Sequence, residues 1–308
     1  MQENNGRRNP FLLAPLFVLP ALFVFGIASF FEIGSLGRVP SLILIALFTL
    51  ISFVTPIVLS FRVSGAGWIP GCLGRVRRGA FAASIWAAGL MAVQSASLRS
   101  LLLAEEYDYR TYTLYGFSIE NATGTVGAFL LNFLIFAVIP VLLEAVLFRG
   151  IILHEYRYCG VLLSSLFSSL LYAALGMSYA ELPVLFLNGV LLSAVVFLTG
   201  NLLCSVLTHL LYTLYAMCVE KYFLFIAAET ETRILLFFIL GALGCVFAIC
   251  FFGSAEKLLR QRGENEDRAP LRMKKGRRSV VVRDVLSAPG LWAVCFGAVL
   301  ICVLHIFL

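Results

Sequence analysis

The sequence predicts an all-α fold, a polytopic transmembrane helical bundle of about nine spans with its N-terminus in the cytoplasm. Three observations predict it. The 308 residues are 61% hydrophobic and only 13% charged, with a mean hydropathy of +0.96, which excludes an ordinary soluble domain. Apolar runs of roughly 20 residues recur along the chain, each long enough to cross about 30 Å of hydrocarbon. The loops between them alternate in charge, as the positive-inside rule requires.

In order, the apolar runs predict spans near 11–31, 41–61, 80–103, 125–148, 161–178, 182–199, 202–219, 234–253 and 289–308. The first lacks the short apolar core and small-residue cleavage site of a secretory signal, so it is read as a retained span. Arg7 and Arg8 precede it, and Arg62, Arg75, Arg77 and Arg78 follow the second span, whereas Glu105, Glu106 and Asp108 follow the third. Continuing the alternation puts Arg157 inside, Glu229 and Glu231 outside, and the basic run at 274–278 inside again. The outer segment carries Tyr107, Tyr109, Tyr112 and Tyr115, aromatics of the kind that sit at a membrane interface. Asn121-Ala122-Thr123 matches a glycosylation sequon, a pattern too short to weigh.

This divides the chain into N-terminal helices with an outer loop (1–124), a core (125–220), and C-terminal helices joined through a basic cytoplasmic linker (221–308, linker 254–288). The net charge of +6 follows from topology and from anionic lipid at the cytoplasmic face, so no nucleic-acid partner is expected. Membrane lipid is the expected partner, and the cell membrane the expected location. Of the eight cysteines, six fall inside apolar runs and none forms a CxxC pair, so they read as small buried hydrophobes.

Chemistry concentrates in the core. Glu144 and Arg149 put an acid and a guanidinium in or beside an apolar helix, and an intramembrane ionisable group is by default a functional-site candidate. At 100° per residue the two do not share a face, so no direct pair is expected. One reading pairs Glu144 with a base from another helix and lets Arg149 snorkel to the surface; the other places both in a polar site. Pro140, lacking an N–H, loosens the helix just upstream. In the next span Ser164, Ser165, Ser168, Ser169 and Tyr172 lead to Gly176, with a spacing that favours close helix packing. Asn188, Gly189 and Ser193 give the sixth span a small, partly polar face beside the same pocket. Ser205, His209 and Thr213 recur every four residues on one face of the seventh. A histidine so placed is a ligand for water or metal, or a satisfied helix–helix hydrogen bond.

The order and spacing of these groups resemble the CPBP family (CAAX protease and bacteriocin-processing, or Abi) of intramembrane proteases, which includes the type II CAAX prenyl endopeptidases. The resemblance is confined to the core. Glu144, Arg149 and Gly150 match the motif Glu-Glu-x-x-x-Arg-Gly, with Ala145 in place of the second acid. Tyr172-Ala173-Ala174-Leu175-Gly176 aligns with Phe-x-x-x-His and lacks the histidine. His209-Leu210-Leu211-Tyr212-Thr213 aligns with His-x-x-x-Asn, keeping the histidine and replacing the amide. The preceding Phe197-Leu198-Thr199-Gly200-Asn201-Leu202-Leu203 is similar to the family's lead-in.

The resemblance implies an intramembrane endopeptidase in which Glu144, as general base, and His209 activate a water, with Arg149 as a further catalytic group. Tyr172, Gly176, Asn188, Ser205 and Thr213 would then line the pocket. It also implies a peptide or membrane-protein substrate, and a divalent metal such as zinc held by His209 and Glu144. Each departure has a physical consequence. Ala145 removes an acid four residues before Arg149 and leaves the guanidinium needing another partner. Gly176 brings no donor or ligand, and Thr213 offers one donor where an amide offers two. With the second histidine missing, the metal would be short of the three protein ligands usual for catalytic zinc. Impaired catalysis is therefore expected, with a non-catalytic binding or immunity-type protein using the inherited cavity as the alternative and a transporter as the third reading. His154 and His305 lie outside the motif positions. A rigid count of spans also puts Glu144 and Gly176 at different depths, which an extension or tilt of the fourth helix would correct.

Overall fold

The computed structural model of the protein describes residues 14–28, 37–64, 76–102, 111–115, 117–120, 125–177, 181–263 and 282–307. Glu105, Glu106, Asp108, Tyr107, Tyr109, the sequon at 121–123 and the basic run at 274–278 lie outside them. Helices stand where the nine apolar runs predict them: α1 Leu19–Ala28, α2 Arg38–Ser64, α3 Ala80–Leu102, α4 Val126–Glu155, α5 Val161–Gly176, α6 Glu181–Thr199, α7 Leu202–Ala227, α8 Thr230–Gly263 and α9 Pro289–Phe307. Six of them, α2, α3, α4, α6, α7 and α8, are long and apolar enough to cross a membrane; α1, α5 and α9 are shorter apolar helices. The chain is a multi-pass, all-α membrane bundle.

One element adds to the helical prediction. β1 Thr111–Leu114 and β2 Phe117–Glu120 pair antiparallel, Thr111 opposite Glu120 and Leu114 opposite Phe117. Tyr115, at the turn, takes a left-handed φ of 52° and points inward. Its ring stacks on Phe25 of α1 with centroids 4.5 Å apart, and Phe53 of α2 and Phe117 close the cluster. Such aromatic pairs contribute about 0.5–1.5 kcal/mol each beyond their burial. The hairpin is thus clamped onto α1 and α2 through Tyr115, one of the tyrosines assigned to a membrane interface from sequence, together with Phe117.

α4 runs on to Glu155, past the predicted end at 148, because Ile151, Ile152 and Leu153 are apolar and buried. This puts Glu144 well inside the helix and resolves the mismatch in depth with α5. The helix is not uniformly wound. Leu134–Val138 and Ala145–Ile152 are π-helical, the Ile139 N–H bonding to the Leu134 carbonyl and the Leu153 N–H to that of Phe148, each five residues back. Pro140 lies just after the first of these stretches and has no N–H to offer the ordinary ladder. π-turns of this kind are commonly found at functional sites.

α5 and α6 approach closely through small residues. A Cβ on Gly189 would lie 2.8 Å from the Ser169 Cβ and 3.0 Å from its Cα, so Gly189 is what lets the two backbones meet. Gly189→Val is expected to force α5 and α6 apart and to destabilise the protein by about 1–3 kcal/mol or more, readable as earlier thermal unfolding in detergent. Gly200, at φ +67°, makes the tight turn into α7, where the Asn201 side chain caps the helix by accepting the Leu203 N–H at 2.7 Å.

Candidate functional site

Three helices bring the motif residues together. From α4 comes Glu144, 2% exposed; from α7 His209, 7% exposed; from α5 Tyr172, also buried. The Glu144 Oε2 lies 3.7 Å from the His209 Nδ1, close enough for ionic contact but longer than a hydrogen bond. On the other side of the ring the Tyr172 hydroxyl is 3.4 Å from Nε2. Tyr172 also meets Glu144 through its side chain, so one phenol braces both members of the pair. Glu144 therefore meets its basic group from another helix.

Arg149 does not snorkel. It is 3% exposed, its guanidinium carbon 4.3 Å from the centroid of the Tyr172 ring and 5.7 Å from that of Phe148. The expectation that Glu144 and Arg149 occupy different faces assumed α-helical winding. In the π-helical stretch, hydrogen bonds span five residues, so residues five apart come nearly into line. Both side chains consequently reach Tyr172. No direct salt bridge joins them, and Nε, Nη1 and Nη2 of Arg149 have no hydrogen-bond partner among the described residues. A desolvated cation–π contact contributes about 2 kcal/mol, whereas an unpaired buried charge costs several. The aromatic rings do not satisfy this guanidinium.

The other pocket candidates divide. The Thr213 hydroxyl donates to the carbonyl of His209 at 3.0 Å, on its own helix, so it is not directed at a substrate. Ser205 is buried one turn before His209. The Oδ1 of Asn188 accepts from the Gln94 side-chain amide at 2.8 Å, in a contact between α6 and α3. Beside Gly176, a Cβ would meet the Leu185 Cδ1 at 2.8 Å and the Glu181 Cβ at 3.2 Å; two α6 side chains fill the space where the motif histidine would begin. Ser168 donates to the Phe148 carbonyl at 2.9 Å and ties α5 to the π-helical stretch. Ser164, Ser165 and Ser169 donate to backbone carbonyls, which accords with packing. His154 lies ten residues beyond Glu144, more than two turns along the same helix, and the His305 side chain is outside the described residues.

A second polar group went unread in the sequence. Arg99 of α3 donates through Nη2 to the Glu181 Oε2 at 2.6 Å and through Nη1 to Glu220. The Ser95 hydroxyl donates to the Glu220 Oε1 at 2.5 Å and lies 3.0 Å from the Tyr212 hydroxyl. Tyr212 in turn stacks on His209 with centroids 6.3 Å apart. The network thus runs from α6 through α3 to the back of the histidine. Its sequence signal was Arg99 itself, a lone cation in the third apolar run, one helical turn after Ser95.

Glu144 and His209 bring two donors, and no group of three His, Cys, Asp or Glu side chains able to hold a metal occurs among the described residues. A catalytic zinc commonly takes three protein ligands, so the residues present do not fit one. What the arrangement can do chemically is polarise a water between a carboxylate and an imidazole.

The buried convergence of α4, α5 and α7 is the geometry against which a family match can be judged. Residues 125–215 match the Rce1-like family, described as type II CAAX prenyl endopeptidase Rce1-like. The matched stretch holds α4, α5, α6 and most of α7, and so every Rce1-like motif position named above. The CPBP resemblance is borne out over this core, and the membrane protein is similar to CAAX proteases across that stretch. Neither the curated proteins nor the solved structures yield a match.

Proposed function

We propose that the protein is an impaired intramembrane endopeptidase of the CAAX type, a multi-pass protein of the cell membrane with its N-terminus in the cytoplasm. Glu144 takes a proton from a water molecule, and the oxygen attacks the carbonyl carbon of a peptide bond. His209, held between Glu144 and Tyr172, orients that water and stabilises the charge that develops. The proton then passes to the leaving amine as the bond breaks. The observation that carries the reading is the 3.7 Å approach of the Glu144 Oε2 to the His209 Nδ1 between two helices, with Tyr172 bracing the imidazole.

Impairment follows from the donors. The Thr213 hydroxyl is engaged by its own helix, and position 176 has no side chain. Loss of one oxyanion donor commonly lowers kcat by about 10²–10³. Slow cleavage of an S-prenylated CAAX peptide by purified protein in lipid is therefore expected, with Thr213→Asn raising kcat by up to about 10². Peptide that binds but is cleaved by neither protein would sink the catalytic reading.

That outcome would favour a non-catalytic binding or immunity-type membrane protein, which one observation supports: Leu185 and Glu181 already occupy the space beside Gly176.

A further inference from the structure

We infer that Arg149 is a receptor for a carboxylate carried by the ligand, and that its fork binds the free C-terminus of a peptide held beside Glu144 and His209. The inference rests on the peptide-binding part of the reading above and goes beyond it by naming the chemical group recognised. Three observations lead to it. The guanidinium is buried, and all three of its nitrogens lack a hydrogen-bond partner among the described residues. Its contacts are the faces of Tyr172 and Phe148, which hold the plane of the fork in place and leave its N–H edge uncommitted. At position 145, four residues earlier, stands alanine, so the helix supplies no acid of its own there.

A buried guanidinium requires an anion, and its planar fork matches a carboxylate through two parallel hydrogen bonds. Glu144, within electrostatic reach, does not fill this role: it makes no salt bridge to Arg149, and its Oε2 is turned to His209. Ser168 of α5 spends its hydrogen on the Phe148 carbonyl. The ligand must therefore bring the negative charge. A peptide terminus does so without adding a side chain, and a fatty acid offers the same group from the lipid phase.

The test uses the full-length protein in lipid nanodiscs and three probes: an S-farnesylated tetrapeptide with a free C-terminus, the same peptide as its C-terminal amide, and palmitate. The free acid is expected to bind at least tenfold more tightly than the amide. Arg149→Gln should abolish that preference, and Arg149→Lys should restore part of it. Ala145→Glu, which places an acid four residues before Arg149, should weaken the free acid while leaving the amide unchanged. Equal binding of acid and amide would overturn the carboxylate assignment and leave peptide binding standing. Palmitate binding that depends on Arg149, with neither peptide bound, would support the carboxylate assignment and sink the peptide reading. Binding of none of the three would overturn the inference.

Discussion

Arg99→Leu is expected to destabilise the protein by about 3–5 kcal/mol, the usual consequence of removing one partner from a buried ion pair. Arg99 holds Glu181 and Glu220 together, and Glu220 is 1% exposed. Without the guanidinium, two carboxylates face each other in an apolar bundle. Arg99→Lys should fall between the two, keeping the charge while losing the fork that reaches both acids at once. The effect should also travel. Ser95 is tied to both Glu220 and Tyr212, and Tyr212 stacks on His209, so the imidazole loses its backing as well. Thermal unfolding in detergent, followed by intrinsic fluorescence, reads the first effect; an unchanged midpoint would mean that the triad is incidental.

The second large effect is chemical. Glu144→Gln preserves shape and removes the base, so residual hydrolysis is expected to fall by about 10²–10⁴, the range of general-base catalysis. Stability should move little, because the Glu144 Oε2 makes no hydrogen bond among the described residues. Retained hydrolysis in this variant would transfer the role of base to another group.

What the sequence reveals here depends on what each residue's signal is made of. The helices are legible because burial in lipid demands long apolar runs and internally satisfied backbones, and the nine runs predict their places closely. The family core is legible because Glu144, Arg149 and His209 are rare residue types in such runs. The absence of a direct Glu144–Arg149 pair was legible from their spacing, but that both side chains reach Tyr172 was not, since hydropathy patterns do not report a switch from α to π winding. Tyr115 was misplaced for a similar reason: composition reports that an aromatic is near an interface but not that a hairpin turns it between two helices. Glu220 lies one residue beyond the predicted end of the seventh span, and Glu181 just before the start of the sixth. Neither drew a reading of its own, although Arg99 inside the third apolar run already required acids from other helices.

The central claim is that Glu144 and His209 act as one unit. A double-mutant cycle on cleavage of the prenylated peptide by Glu144→Gln, His209→Gln and the double variant tests it most directly. Residues that act as a unit are strongly non-additive, so each single variant should lose nearly as much kcat as the pair together. Losses that multiply, or a wild-type rate no higher than that of the double variant, would contradict the claim.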